Sequence, residues 1–428
     1  MTSCKTIARS PVDLWTAQRL QIAPEELSQE RLIEYQLAAA RNLITYLKEN
    51  SRFYEAHLKG MEACDIRSMQ DFQALPTTSE TDLIGQEWKF QCVHPDRVRR
   101  VVTVPTTGTH GQQKRISFTE NDLRLAMAFA PTGFSVMCEP GDKVLVMMSG
   151  GRPGSIGDNV ARGLEPMQVQ ASVYGEIRDL EDAATQVCRI QPDVLVGVPQ
   201  QMAALAGYMK KNGMHFQTKS VLLSADDVPE AICQRLRRNW NCHTFRHYGM
   251  TELCMFGAVE CLGADGYHMR ACDHLFEIDR PDANGYGEIL VTTLHHEAMP
   301  LLRYRTGDIG RMTTSSCACG SPLQRIETIR GRKTNAISLP KGELFLRDIA
   351  EAVYQDPAVV DFDCMMEKEV LRIILYTLPD ERTKETAVSQ AVQKLFSDKG
   401  MEISCVSATR DYQCKEHMIG KKKWLIRQ

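Results

Sequence analysis

The apolar positions near the start of the chain repeat at helical spacing. Ile33, Leu37, Ala40, Ile44 and Leu47 step by four, three, four and three, which puts them on one face of a helix. That stretch reads as a packing helix and carries no chemistry of its own. From about residue 100 onward the pattern changes to short apolar runs separated by helical stretches. Val144–Met148 is one such run, followed at once by Gly150-Gly151-Arg152-Pro153-Gly154. Asp193–Val198 ends at Pro199, Val221–Leu223 ends in Ser224-Ala225-Asp226-Asp227, and Glu288–Thr292 is a fourth. Near-continuous apolar strands alternating with helices predict covered sheets, some of them parallel, and hence an α/β fold. Ligands of such folds sit at the carboxyl ends of strands, so these junctions are candidate site positions.

Toward the C-terminus the texture changes again. Asp348–Tyr354 reads as a helix, Val370–Tyr376 as a strand and Glu385–Asp398 as a helix. A boundary is expected at Gly331-Arg332-Lys333-Thr334. The chain then divides into a large multi-sheet N-terminal domain, 1–332, and a small α+β C-terminal domain, 333–428.

Composition narrows the function classes. The 428 residues are 43% hydrophobic and 25% charged, ordinary globular usage that excludes a disordered tail, a collagen-like fibre and a coiled-coil rod. No apolar run approaches the ~20 residues of a membrane span, and Met1–Leu14 lacks the apolar centre of a secretory signal. With 51 basic against 54 acidic residues, the net charge of −3 suggests neither a nucleic-acid nor an anionic-membrane partner. An odd number of cysteines, 15, fits a reducing cytosol better than a disulfide framework.

Three motifs carry candidate chemistry. In Val104–Arg115 two glycines, Gly108 and Gly111, let the backbone turn tightly, while Thr106, Thr107, Thr109 and Lys114 supply hydroxyls and a charge. This is either a phosphate cradle or a polar hairpin turn, and it is not the NTPase P-loop, because the Gly-Lys-Ser/Thr ending is missing. The loop resembles the Thr/Ser-Ser-Gly-Thr-Thr-Gly-x-Pro-Lys signature of the adenylate-forming (AMP-binding) enzymes, departing from it at His110 and Gln113. His247-Tyr248-Gly249-Met250-Thr251-Glu252, after a strand expected at Thr244-Phe245, resembles the same family's Tyr-Gly-x-Thr-Glu motif. There Tyr248 offers a face for adenine, Gly249 and Met250 shape the approach, Thr251 offers a hydroxyl to phosphate and Glu252 a hard oxygen to Mg²⁺. Leu302–Asp308 resembles the family's Tyr-Arg-Thr-Gly-Asp motif, in which the acceptor-only carboxylate, here Asp308, takes both ribose hydroxyls. By the same resemblance Arg332 reaches the nucleotide, and Ser224, Ala225 and Asp226 line the adenine site.

Within the superfamily the chain looks most like the phenylacetate-CoA ligase group, over essentially its whole length. Ser10–Trp15, Asn50–Tyr54 and Met299–Tyr304 carry that likeness. The resemblance implies ATP-dependent activation of a carboxylic acid to an acyl-adenylate, then transfer to CoA, with ATP, Mg²⁺ and CoA as the small-molecule partners and a homodimer as the family-level assembly. It also implies a catalytic lysine after a glycine near the C-terminus. Gly420-Lys421 fits, with Lys422 and Lys423 as rivals. A lysine suits the task as a compact charge on a long stem. One departure stands out: Thr334 and Asn335 occupy the place of the group's acidic hinge, so adenylation is better supported than CoA transfer. Alternatives stay open. The acyl group could pass to a carrier protein or an amine, or the protein could be a degenerate, non-catalytic nucleotide binder. The segments Phe129–Phe134, Gly150–Gly157 and Met250–Gly257 are expected to line the acid pocket. They are weakly charged and Met-rich, which suits an aryl or apolar acid.

A last cluster stands apart. Cys261, His268, Cys317 and Cys319 supply three thiolates and an imidazole, the ligand set of a closed structural Zn²⁺ site. The phenylacetate-CoA ligase-like group carries a similar pattern. Free buried thiols are the alternative, an interaction module is a further one, and Cys254 and Cys272 are nearby spares.

Overall fold

Residues 8–105, 113–313, 315–413 and 425–427 are described by the structure, a computed structural model of the chain. The N-terminal periodicity is realised as the helix Gln29–Asn50, started by Ser28, whose side chain accepts from the Arg31 N–H at 3.3 Å. Its inner face carries Leu32, Leu37, Ala40, Leu43, Ile44 and Leu47, and Gln36 sits on the same face, donating to the Ala271 carbonyl at 2.7 Å. Ile33 is only half-buried, because the buried stripe leads with Leu32.

Contacts divide the chain into two interleaved units, Met1–Val136 with His247–Ile329, and Met137–Arg246 with Arg330–Gln428. In the first unit strands follow the order His274–Asp279, Gly287–Thr293, Tyr304–Thr313, the strand Arg325–Arg332 as far as Ile329, Tyr267–Met269, Ala258–Glu260 and then the end of His243–Tyr248. A separate hairpin pairs Arg100–Pro105 with Gln113–Phe118, Pro105 opposite Gln113. The candidate phosphate loop joins these two strands.

The second unit holds the parallel strands expected from the apolar runs. Gln170–Val173, Lys143–Met147, Val194–Gly197, Ser220–Leu223 and the start of His243–Tyr248 lie side by side in that order, all parallel. Val194–Gly197 and Ser220–Leu223 are buried at every position, which is why they read as continuous apolar runs. A four-stranded sheet follows in the order Ser404–Asp411, Val370–Thr377, Val359–Glu367 and Leu425–Arg427. The helices Leu346–Val353 and Glu385–Asp398 match their expected places.

Residues 137–246 group with the segment from Arg330 onward. One apolar core explains this, since Leu205, Ile232, Leu236 and Trp240 share it with Ile349, Val359, Phe362 and Leu375. Polar contacts reinforce it. The buried Arg235 guanidinium donates to the carbonyls of Val359 (2.6 Å), Tyr354 (3.1 Å) and Asp356 (2.9 Å). Glu351 accepts from the free N–H groups of Glu230 and Ala231 at the start of the helix Glu230–Trp240, at 2.5 and 3.1 Å. Among the described residues every cysteine is a free thiol, and no helix is long and apolar enough to cross a membrane.

Buried histidines make the first unit acid-sensitive. The rings of His274 and His296 are 5.7 Å apart, 1% and 7% exposed. Burial, with Arg270 nearby, holds His274 well below the usual histidine range. Burial holds His296 down to about 4, against the opposing pull of Asp122. Between that value and the ordinary ~6.5 the unfolded chain binds more protons than the folded one. The stabilising contribution is therefore complete above pH ~6.5 and is lost as pH falls toward 4. For His296 we expect a loss on the order of 1–2 kcal/mol at pH 5, with His274 acting in the same direction, read by urea denaturation against pH 7.5. Equal stability at both values contradicts this.

Candidate functional site

Tyr248 is the last residue of its strand, and the chain turns back immediately after it. Gly249 is required there because a Cβ would lie 1.7 Å from the Met255 carbonyl oxygen. The returning loop is closed by Met255 N–H to Met250 O at 3.1 Å and Gly257 N–H to Tyr248 O at 3.2 Å. It holds Cys254 and Met255 at φ of 52° and 78°, a left-handed conformation that non-glycine residues adopt where surrounding structure compels it. This loop places two side chains. The Tyr248 hydroxyl donates to Asp308 Oδ2 at 2.9 Å, both residues being at most 9% exposed. Glu252, in the short turn Thr251–Leu253, is buried.

Asp308 comes from the strand Tyr304–Thr313. Its N–H donates to Thr306 Oγ1 at 3.0 Å, and that hydroxyl donates to the Ile289 carbonyl at 2.8 Å. Gly307, at φ 78°, takes the turn between them and donates its N–H to Glu288 at 3.1 Å. The two arginines of this motif are anchors. Arg303 is buried against Glu277, with Nε 3.1 and 3.2 Å from the carboxylate oxygens, and Arg305 reaches Asp279 at 2.9 Å as well as Glu288. Burial raises Glu277, and Arg303 opposes that rise.

Lys114 was expected to add charge to the phosphate loop. It lies on the strand Gln113–Phe118 with its ammonium in the interior, 2.5 Å from Glu252 Oε1, 2.8 Å from Glu80 Oε1 and 3.1 Å from the Tyr304 hydroxyl. Burial pulls the ammonium down, but Glu252 and Tyr304 outweigh it, so the net direction is up and Lys114 stays charged. Burial and the Glu252 charge push Tyr304 up, so it stays a neutral phenol. Tyr304 heads the Tyr-Arg-Thr-Gly-Asp segment but had no role assigned to it from sequence. Glu80 was not singled out, and its one local signal was the Ser79-x-x-Asp82 helix start beside it, a capping pattern without chemistry.

In the second unit Ser224 follows the strand Ser220–Leu223, donating its N–H to the Gly197 carbonyl at 3.2 Å, and Ala225 takes a left-handed φ of 74°. Asp226 accepts from Gln200 at 3.0 Å. Arg332 ends its strand, half-buried, after Gly331. The remaining expected nucleotide ligands, Thr106, Thr107, Gly108, Thr109 and Gly111, and the lysines Lys421, Lys422 and Lys423, lie outside the described residues.

The four candidate ligands Cys261, His268, Cys317 and Cys319 do converge. Their ligand atoms all lie within 4.8 Å of one another and all four residues are buried. Cys261 and Cys317 sulfurs are 3.6 Å apart, and Cys319 Sγ is 3.7 Å from His268 Nε2. Metal–sulfur bonds of about 2.3 Å at tetrahedral angles separate ligand atoms by about 3.8 Å, so the donor set fits a Zn²⁺ ion. The hydrogen bond from Cys261, against burial, draws Cys319 down to about 3, toward the thiolate a metal needs.

Chemically, the first unit thus offers a tyrosine face, an acceptor-only carboxylate fixed beside it, and a second buried carboxylate already balanced by a cation. That set suits a ribonucleotide with a phosphate chain. No family model matches the chain. It is 26% identical over 358 residues to a phenylacetate-coenzyme A ligase of Thermus thermophilus, 78% of each chain. It is 24% identical over 347 residues to a phenylacetate-coenzyme A ligase of Pseudomonas putida, 77% of each. A solved 2-hydroxyisobutyryl-CoA ligase, in the postadenylation state with 2-HIB-AMP, matches with a TM-score of 0.78 at 17% identity. The match covers 92% of this chain and 88% of that one, and it shows the shared fold.

Proposed function

We propose, from the premise that the chain is a phenylacetate-CoA ligase-like member of the adenylate-forming superfamily, that it activates a carboxylic acid with ATP and transfers the acyl group to CoA. An oxygen of the acid attacks the α-phosphorus, and pyrophosphate leaves with the electron pair of the broken P–O bond. The CoA sulfur then attacks the acyl carbon, the thiol proton passes to solvent, and AMP leaves with its oxygen. The observation that carries this reading is the Tyr248–Asp308 pair, in which the hydroxyl of a strand-end tyrosine meets a double acceptor at 2.9 Å.

In this reading Asp308 accepts from the ribose hydroxyls and Tyr248 packs on the purine. Met250, Ser224, Ala225, Asp226 and Arg332 complete the nucleotide contacts, and Thr106, Thr107, Gly108, Thr109 and Gly111 bind phosphate. Thr251 adds a hydroxyl, and Lys421 neutralises the reacting carboxylate and α-phosphate. Glu252 would hold Mg²⁺, which supplies charge neutralisation along the phosphates. The functional division at residue 332 belongs to the same reading, with 333–428 bringing the lysine. Any turning of that segment must release the Arg235 and Glu351 contacts. The altered hinge at Thr334 and Asn335 keeps a second reading alive, in which the acceptor is a carrier protein or an amine. The test is pyrophosphate release over a panel of aryl and apolar acids, with and without CoA. CoA-dependent AMP release supports the ligase. Pyrophosphate release without it supports the second reading, and neither product from any acid defeats both.

The thiolate–imidazole cluster, in our reading, is a structural zinc site, since four protein ligands leave no open position. Metal analysis is expected to give about one zinc per chain. The Cys317→Ser, Cys319→Ser double variant is expected to lose the metal and several degrees of thermal midpoint. Metal-free protein with the same midpoint contradicts the assignment.

A further inference from the structure

Lys114 has three N–H donors and three acceptors within 3.1 Å: Glu252, Glu80 and the Tyr304 hydroxyl. Two of those acceptors belong to none of the expected nucleotide contacts. We propose that Glu80 and Tyr304 are positioning residues for adenylation. They hold the Lys114 ammonium beside Glu252, and Glu80 keeps that ammonium balanced when a divalent cation takes the Glu252 carboxylate. The inference rests on the nucleotide reading above.

The placement of Glu80 is built into the fold. Thr78, fully buried, is stitched to the segment that carries Tyr304. Its N–H donates to the Arg303 carbonyl at 3.1 Å, its carbonyl accepts from Arg305 N–H at 2.8 Å, and its hydroxyl donates to the Leu302 carbonyl at 2.9 Å. Tyr54 ties both sides, its hydroxyl 3.1 Å from Thr78 Oγ1 and accepting from Leu302 N–H at 2.9 Å. Beginning at the next residue, the capping box of Ser79 and Asp82 fixes the helix Glu80–Leu83. Glu80 therefore points at Lys114 from a segment that cannot shift without breaking the Thr78 contacts.

Charge explains why a second carboxylate is needed. A buried carboxylate such as Glu252 requires a counter-charge, and Lys114 supplies it. When Mg²⁺ arrives at Glu252, the ammonium becomes a second cation beside the first, and the two repel. Glu80, still 2.8 Å from Nζ, gives Lys114 a counter-ion that the metal does not claim, and Tyr304 gives its remaining N–H an acceptor. The arrangement lowers the cost of placing Mg²⁺ next to a buried lysine. Stability alone gives no reason for it, since the Glu80 side chain is 31% exposed and such pairs contribute little to folding.

The test is calorimetric titration of ATP over a range of Mg²⁺ concentrations, and of AMP in EDTA, for wild type, Glu80→Gln, Glu80→Asp and Tyr304→Phe. Glu80→Gln is expected to raise the Mg²⁺ needed for half-maximal ATP binding roughly tenfold, the worth of one charge-assisted contact. Metal-free AMP binding should change less than about twofold, Glu80→Asp should recover most of the shift, and Tyr304→Phe should show a smaller one. A Mg²⁺ requirement identical to wild type, or an equal loss of metal-free AMP binding, overturns the positioning role. Wild-type protein that binds no ATP overturns the nucleotide reading itself, and this inference with it.

Discussion

Glu252→Gln is expected to slow acid-dependent ATP–pyrophosphate exchange by roughly 10²–10³-fold, the loss typical of removing one charge contact to a reacting centre. Glutamine keeps the shape of a side chain that is 2% exposed in the Thr251–Leu253 turn, and its carbonyl oxygen can still accept from Lys114. Lys114 also retains Glu80, so the fold should survive. What disappears is the negative charge a divalent cation would bind. Thiolysis of pre-made acyl-adenylate, which carries no β- or γ-phosphate, should stay within about tenfold of wild type. Glu252→Ala is a poorer probe, because removing one partner of a buried pair costs about 3–5 kcal/mol and confuses folding with chemistry. Exchange by Glu252→Gln within about threefold of wild type contradicts the assignment.

Lys421→Ala is expected to reduce the same exchange by a similar factor, roughly 10²–10³-fold, while sparing thiolysis of pre-made adenylate. The reason is chemical. The carboxylate and the α-phosphate are both anionic and must approach each other, and a lone ammonium on a long stem offsets that repulsion without needing a shaped pocket. Lys421 lies outside the described residues, and Gly420-Lys421-Lys422-Lys423 offers three neighbouring candidates. Alanine variants of each separate them. One of the three should lose exchange and the other two should keep it. If the loss falls on Lys422 or Lys423, the choice of lysine is wrong. If none of the three loses exchange, the assignment of a lysine from this run is wrong.

Much of the architecture was legible because burial imposes a period. Val194–Gly197 and Ser220–Leu223 are buried on both sides and read as unbroken apolar runs, with Pro199 just past the first as the start of the next helix and Ser224 just past the second. The segments around Tyr248 and Asp308 were found as short local patterns, and the structure joins them by one hydrogen bond. The convergence of Cys261, His268, Cys317 and Cys319 was legible by chemistry, since three thiols and an imidazole are a matched donor set. What escaped notice was long-range. Glu80 meets Lys114 and Tyr304 only because Thr78 is sewn to a segment more than two hundred residues away. The left-handed Cys254 and Met255 carry no glycine to announce them. The grouping of residues 137–246 with the C-terminal segment depends on where Arg235 finds its carbonyls, and its position in an ordinary amphipathic helix gives no hint of that.

The proposed chemistry requires a purine ribonucleotide to lie against Tyr248 with its ribose on Asp308. The most direct measurement is calorimetric titration of AMP into wild type and Asp308→Ala in EDTA, where no metal contributes. The expected result is saturable binding by wild type that weakens at least about tenfold in Asp308→Ala, from the loss of hydrogen bonds to a charged acceptor. Equal affinity in the two proteins, or no heat from wild type at millimolar AMP, contradicts the claim.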